Sequence, residues 1–229
     1  MDDRVLFERT RDLRSAGCTP KQVAKLLGVS SGEAARLVRL VACENELSAP
    51  EPAVVGCWLS PGWRAGIEAP PEWPDTKLPD RAGEGIVSVV VARAHRHGKV
   101  VVAAFLVDVF CLGVKDILGP RVMDRVELSS FVRTYFLVYG APAVAAPIEV
   151  GRELVWGAVA YARTLGFEPR HDLATTADIL GAAEPTGAVR FGREGTPCFI
   201  EGISDDAPRI MRILERSVGA GNFHFSIAV

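Results

Sequence analysis

The chain has 229 residues, of which 48% are hydrophobic and 24% are charged, and its formal net charge is -2 at pH 7. This composition is typical of a globular protein, and it excludes one that coats nucleic acid through a positive field over its whole surface. The charged N-terminal stretch lacks the apolar segment of a secretory signal, and no apolar run reaches the roughly 18 residues of a membrane span. We therefore expect a cytoplasmic protein with no membrane partner.

The cysteines give no sign of a disulfide framework or of a metal site. None of them belongs to a C-x-x-C pair, and they are scattered over the chain at Cys18, Cys43, Cys57, Cys111 and Cys198. Zinc sites and small disulfide scaffolds both need closely spaced cysteines. We expect reduced thiols, no metal and no cofactor.

Residues 1–47 are predicted to form a module of three short helices. Residues 3–16 are amphipathic and are followed by Gly17, a residue typical of a helix C-terminus. Thr19 and Gln22 have the spacing of a capping box, in which each residue binds the backbone of the other. A second helix is therefore expected from this box to about Leu27.

A short turn at residues 28–30 is predicted to lead into a third helix. Gly28 permits the positive φ that a tight turn needs, and Ser30 and Glu33 repeat the capping-box spacing. The third helix is expected from Ser31 to about Cys43. In the second and third helices, the residues expected to face the core of the module are Val23, Leu26, Leu27, Ala34, Leu37, Val38 and Val41.

The stretch TPKQVAKLLGVSSGEAARLVRLV resembles the trihelical helix-turn-helix modules of bacterial transcription regulators. In that family the third helix lies in the major groove of double-stranded DNA and its first turns read base edges. The resemblance implies that Arg36 and Arg39 donate to guanine or phosphate, and that Lys21 and Lys25 hold the DNA backbone. The full set of implied DNA contacts is Lys21, Lys25, Ser31, Gly32, Glu33, Arg36 and Arg39.

The charge of this segment leaves a second interpretation open. Residues 1–49 carry eight Lys or Arg and seven Asp or Glu, so their net charge is only +1. Glu33, at a position that would face the DNA, also repels phosphate. A helical module that binds another protein therefore remains an alternative to one that binds DNA.

A change in composition marks the end of the helical module. Prolines recur from Pro50 onwards, and we place a linker at residues 48–52, before a strand at 53–59. The large apolar rings near this strand are expected to pack onto a domain formed by residues 53–229, because no Lys or Arg cluster accompanies them to bind single-stranded nucleic acid. These rings belong to Trp58, Trp63 and Trp73.

Two β-hairpins are predicted in the larger domain. Residues 86–92 and 99–108 are rich in β-branched residues and are separated by a turn that contains His95 and His97. These histidines could share one side of an extended backbone, but no third metal ligand lies nearby in the sequence. The second hairpin is expected from residues 189–191 and 198–203.

The rest of the larger domain is predicted to contain helices and one further strand, so that the fold class is α+β. Helical periodicity is found in residues 126–138, 147–166, 173–180 and 205–219. Ile117 and Leu118 suggest a short helix or turn. A final strand is expected in residues 222–229.

Four polar residues interrupt or follow the most apolar run of the chain, at Asp108, Cys111, Lys115 and Asp116. A Cys111 nucleophile would need a histidine base, and His171 and His224 are far away in sequence. A metal site of the nuclease type would place lysine after an acid in the order acid-x-Lys, which this chain does not have. We therefore interpret the cluster first as partnered structural groups and only second as weak candidates for catalysis.

The larger domain also resembles a known group of sequences. The runs FLVDVFCLGVKD, YARTLGFEPRHD and FGREGTPCFIEG look like an uncharacterised family of bacterial proteins over roughly residues 53–225. That resemblance implies domain boundaries and no activity.

Three functional hypotheses result. The first is a DNA-binding transcriptional regulator whose C-terminal domain forms a homodimer, senses a ligand or recruits a protein partner. The second is an enzyme that acts on nucleic acid or a small molecule at the four polar residues near Asp108. The third is a protein-interaction adaptor.

Overall fold

The computed structural model describes residues 3–48, 51–78, 84–182 and 184–227. The chain divides into two compact units, with unit 1 ending at Glu51 and unit 2 beginning at Pro52. This division falls within the predicted linker. The described residues contain no helix long and apolar enough to cross a membrane.

Unit 1 is a three-helix module. Its helices are α1 (Asp3–Ser15), α2 (Pro20–Leu27) and α3 (Ser31–Ser48), so that α3 continues beyond the predicted end at Cys43. The prediction that Leu26 faces the core is wrong, since 62% of its surface is exposed. Val23 and Leu27 are four residues apart and lie on one face of α2, and Leu26 lies at the edge of that face, about 60° around the helix from Val23 and about 100° from Leu27. The buried apolar residues of the module are Leu6, Val23, Leu27, Ala34, Leu37 and Val41.

Unit 2 is built on a five-stranded antiparallel sheet with the strand order β4-β3-β2-β1-β5. The predicted central hairpin is confirmed, because Ile86 pairs with Asp108 at one end and Ala94 pairs with Val100 at the other. The strands of this sheet are β1 (Val54–Leu59), β2 (Ile86–Ala94), β3 (Val100–Asp108), β4 (Gly113–Met123) and β5 (Val144–Ala145).

The prediction of a short helix or turn at Ile117 and Leu118 is wrong. Both residues lie within β4, where Ile117 pairs with Phe105 and Leu118 pairs with Ala104. The chain reverses earlier, between the end of β3 and Gly113, so the apolar residues after the reversal extend the sheet. A shift in register between Val102 and Ala104 interrupts the pairing of β3 with β4 without ending either strand.

Helices cover both faces of the sheet. On one face, α5 (Ile148–Arg152), a π-helical turn (Glu153–Gly157) and α6 (Ala158–Thr164) form the predicted long helix and cross the sheet from β1 to β4. The opposite face packs against α4 (Arg125–Tyr135) and the 3-10 turn Leu137–Tyr139. Residues of β2 alternate between these two cores, as expected for a strand buried on both sides.

A small second sheet completes unit 2. Strand β6 (Cys198–Glu201) pairs in parallel with β7 (His224–Ile227), and α8 (Ala207–Ser217) connects them. The shorter helix α7 (Leu173–Thr176) continues into a 3-10 turn, Ala177–Leu180. The predicted helices in these regions and the predicted last strand are therefore confirmed.

The second predicted hairpin is wrong. A turn is present, since Gly195 N–H donates to the Gly192 carbonyl, but the segments on either side of it diverge. Arg190 forms an isolated bridge with Glu68, whereas β6 pairs with β7. The turn residues were recognisable from the sequence, but the partners of the flanking segments lie far away along the chain.

Candidate nucleic-acid interface

Capping interactions define where α2 begins and ends and where α3 begins. Gln22 N–H donates to Thr19 Oγ1 at 3.4 Å and Thr19 N–H donates to Gln22 Oε1 at 2.7 Å, which confirms the predicted capping box. Gly28 has φ = 67° and its N–H donates to the Ala24 carbonyl, so α2 ends in a left-handed residue. The turn between α2 and α3 is therefore short, and its first residue, Gly28, is hydrogen-bonded to α2.

The second predicted capping box is only half formed. Glu33 N–H donates to Ser30 Oγ at 3.1 Å, as expected for an N-cap. The Glu33 carboxylate binds Arg36 instead of returning to the backbone of Ser30. The start of α3 consequently presents a Glu33–Arg36 ion pair rather than two separate charges.

Arg36 is the candidate DNA contact with the most internal partners. Its guanidinium lies 2.8 Å from Glu33 Oε1 and 3.8 Å from Asp3 Oδ2. The hydrogen bond to Glu33 and the charges of both acids raise the pKa of Arg36 above its ordinary value. Asp3 lies at the start of α1, and no sequence pattern indicated that it would approach α3. Arg36 is half-exposed, so a phosphate or base that binds it competes with these two acids.

The other basic candidates are available to a ligand. Lys21, Lys25 and Arg39 are exposed, and no carboxylate among the described residues lies within 4 Å of them. Ser31 and Gly32 are also exposed at the first turn of α3. The structure thus places these residues on the two helices that the helix-turn-helix interpretation requires.

The charge of the module is unevenly distributed along its sequence. Residues 3–42 carry eight Lys or Arg and four Asp or Glu, a net charge of +4. The remaining acids of residues 1–49 are Asp2, Glu44 and Glu46, of which two follow the first turns of α3. The part of the module that contains α2 and the start of α3 is therefore more basic than the +1 of the whole segment indicates.

In unit 2, Asp108 acts as a buried cap for the turn after β3. Its Oδ1 accepts hydrogen bonds from Phe110 N–H and Cys111 N–H, both at 2.9 Å. Its Oδ2 is buried and has no hydrogen-bond partner. Burial raises the pKa of Asp108 to about 6, against the opposing effect of these backbone donors and of the Lys115 charge.

Cys111 lies in the apolar core between α8 and β6. Its thiol is fully buried, and burial, followed by the nearby Asp108 charge, raises its pKa. A raised pKa disfavours the thiolate that a nucleophile requires. The groups that act most strongly on this thiol are Asp108, Cys198, Lys115 and Asp205, and none of them is a histidine.

Lys115 and Asp116 bind different neighbours. Lys115 Nζ donates to Asp205 Oδ2 at 2.6 Å in a partly buried ion pair that connects β4 to the segment before α8. Asp116 lies at the surface, 3.7 Å from the Arg170 guanidinium. The described residues contain no group of three His, Cys, Asp or Glu side chains that could hold a metal ion.

None of the pockets seen among the described residues is lined by all four polar residues. A surface pocket of about 470 Å³ includes Lys115, Asp205 and Arg170, but Asp108, Cys111 and Asp116 do not line it. Asp108 supports a turn, Cys111 fills the core, and Lys115 and Asp116 form separate ion pairs. Asp108, Cys111 and Lys115 are close enough to affect one another electrostatically, whereas Asp116 lies apart at the surface. His95 and His97 are exposed turn residues.

Comparisons of the chain with protein families, curated proteins and solved structures give no match. The resemblances of residues 19–41 and 53–225 therefore remain predictions from the sequence.

Proposed function

We propose that the chain is a cytoplasmic DNA-binding regulator that contacts double-stranded DNA through α2 and the first turns of α3. The observation that carries the proposal is that α2 and α3 are joined by a three-residue turn that begins at Gly28 and expose Lys21, Lys25 and Arg39. In this proposal unit 2 forms the dimer, binds an effector or recruits a partner protein.

The physical basis of the proposal is local charge. A net charge of +4 over residues 3–42 supplies cations for phosphate contacts, although the whole chain has a net charge of -2. Each phosphate that a lysine or arginine neutralises releases a counterion, which makes binding dependent on salt. In this proposal the cations of α2 and of the first turns of α3 make the phosphate contacts.

The enzyme hypothesis lacks a comparable observation. Of its four residues, Asp116 lies apart at the surface, Lys115 is paired with Asp205, and Cys111 is a buried thiol in an apolar core. The adaptor hypothesis predicts that the exposed cations Lys21, Lys25 and Arg39 bind a protein and not DNA. A DNA-binding measurement separates it from the proposal.

Binding of the full chain to a fluorescent duplex of random sequence should weaken steeply between ~50 and ~200 mM salt. The triple variant Lys21→Ala, Lys25→Ala, Arg39→Ala should bind at least about tenfold more weakly, and its salt slope should be smaller by about 2 to 3. Fluorescence anisotropy over this salt range measures both quantities.

A matched control removes three exposed cations from unit 2 instead, as Lys77→Ala, Arg96→Ala, Lys99→Ala. This variant has the same net charge as the first, so it should retain wild-type affinity if unit 1 makes the contacts. The DNA-binding proposal fails if the intact protein does not bind duplex DNA at ~50 mM salt. It also fails if both triple variants lose the same affinity.

Glu33→Gln should strengthen binding to random duplex DNA by roughly three- to tenfold. The change removes a negative charge beside the phosphates and frees Arg36 from the acid that lies 2.8 Å from its guanidinium. Anisotropy at ~100 mM salt measures the effect, and the variant Glu33→Gln, Arg36→Ala should lose most of the gain. Unchanged or weaker binding by Glu33→Gln would show that Glu33 does not lie near the DNA.

A further inference from the structure

The surface of unit 2 has an apolar stripe that remains exposed among the described residues. Ten large apolar side chains are exposed in the described residues, and four of them lie between residues 122 and 138. Their exposed fractions are 51% for Val122, 77% for Val126, 73% for Leu137 and 84% for Val138. Single exposed apolar residues are common, but a group of this kind on one segment marks a contact surface.

The stripe is the outer face of α4 and of the segments that flank it. The inner face of α4 is already used, because Leu128 and Phe136 are buried against the sheet. Val126, Ser130, Arg133 and Leu137 follow one another at intervals of four, three and four residues, which places them along one side of a helix. The 3-10 turn that carries Leu137 extends this side beyond the end of α4.

A pocket of about 580 Å³ lies beside this stripe. It is lined mainly by apolar residues, and Leu137 forms part of its wall. An apolar pocket beside exposed apolar side chains is typical of a surface that contacts another protein surface. The apolar residues that line the pocket include Trp58, Val132, Phe136, Leu137, Pro142 and Ala143.

We infer that this face binds a second copy of the chain, with the two α4 helices antiparallel and the two-fold axis at Ser130. Glu127 and Arg133 lie three residues from Ser130 in opposite directions, so this axis places Glu127 of each copy beside Arg133 of the partner subunit. The charged pairs on α4 are thus complementary to themselves.

The residues at the centre permit close approach of the helices. Ser129 and Ser130 are small and exposed, and they separate the acid and the base on the outer face of α4. Because α4 has 11 residues, it is only about 16 Å long. A stable interface buries about 1,200 Å² or more, which requires the flanking residues Val122, Leu137 and Val138 as well as the helix.

The requirement for two copies rests on the proposed function, since one helix-turn-helix module reads only half of a two-fold symmetric DNA site. The surface itself belongs to unit 2 and can be tested without DNA. A dimer of limited area is expected to dissociate in the micromolar range, so its mass should depend on concentration.

Sedimentation velocity of the full chain between ~1 and ~200 µM should show a transition from monomer to dimer. Arg133→Glu and Glu127→Arg should each remain monomeric, because each change brings like charges together at both ends of the helix pair. An equimolar mixture of the two variants should form dimers, because the mixed pair has opposite charges at both positions. Dimers in the mixture also show that both variants are folded.

A wild-type chain that stays monomeric at ~200 µM would overturn the inference, as would single variants that dimerise like the wild type. Glu127 Oε2 also accepts a hydrogen bond from Asp124 N–H at the start of α4, so circular dichroism of Glu127→Arg must match that of the wild type. With both variants folded, lack of dimers in the mixture would place the interface elsewhere. If DNA binding fails while this dimer forms, the proposed function is wrong and the interface is right. If the chain binds DNA but stays monomeric at ~200 µM, the proposed function stands and the interface is wrong.

Cross-linking gives an independent measurement of the axis. Ser130→Cys should form a disulfide-linked dimer under mild oxidation, because the two substituted residues face each other across the two-fold axis. The matched control is Ser204→Cys, another exposed serine of unit 2. Equal amounts of cross-linked dimer from both variants would contradict the assigned axis.

Discussion

Asp108→Ala is expected to lower the free energy of unfolding of unit 2 by roughly 2 to 4 kcal/mol, whereas Asp108→Asn should leave it nearly unchanged at neutral pH. Alanine removes the acceptor of two backbone N–H groups, those of Phe110 and Cys111. Asparagine keeps an oxygen for these donors and removes a buried charge whose second oxygen has no partner. Denaturant titration followed by tryptophan fluorescence reports on unit 2, which contains all four tryptophans.

The free energies of unfolding of the wild type and of Asp108→Asn should also depend differently on pH. The pKa of Asp108 is about 6 in the folded state and thus lies above the unfolded value of 3.8. The folded state therefore binds the carboxyl proton of Asp108 more tightly than the unfolded state does. The stability that this bound proton contributes is complete below pH 3.8 and is lost as the pH rises through about 6. The wild type should lose up to about 3 kcal/mol relative to Asp108→Asn across this range.

This comparison needs only the difference between wild type and Asp108→Asn at about pH 4.5 and about pH 7.5, which cancels the contributions of other groups. The same difference at both pH values would show that Asp108 is not buried in an apolar environment. A large loss of stability in Asp108→Asn at neutral pH would show instead that its carboxylate has an ionic partner.

Gly85→Ala should destabilise unit 2 by about 3 kcal/mol or more. Gly85 has φ = 84°, and a Cβ at this position would lie 2.4 Å from Cδ2 of Phe110. Phe110 is itself fully buried, so its ring has no free space to move into. The change therefore combines an unfavourable backbone conformation with a steric overlap in the core.

Gly98→Ala provides the matched control for the backbone term. Gly98 has φ = 72°, and a Cβ there would meet no atom within 4 Å. Its cost should therefore be only about 1 kcal/mol. Denaturation midpoints of the two variants measure the difference, and equal midpoints would show that the Phe110 ring adapts without cost.

Local sequence signals predicted much of the fold. Thr19 and Gln22 form their capping box, Gly28 takes a positive φ, and the β-branched runs of β2 and β3 form a hairpin. In each case the interacting residues are close in sequence, or they are joined by a short turn. These signals depend on the backbone preferences of a few neighbouring residues.

The errors and omissions concern partners that are distant in sequence. The turn at residues 192–195 was recognisable, but β6 pairs with β7 through a helix rather than across that turn. Lys115 binds Asp205, which is 90 residues away. Within unit 1, Arg36 meets Asp3 only because α1 packs against α3. Such pairings result from tertiary packing, which residue type and spacing do not specify.

The parallel pairing of β6 and β7 has a consequence for synthesis on the ribosome. Unit 1 precedes unit 2 in the chain, and its core is formed by its own residues, so it can fold while unit 2 is still being made. Strand β6 cannot complete its sheet until α8 and β7 have been translated. The nascent chain therefore displays a finished helical module while an edge of unit 2 is still unpaired and open to aggregation.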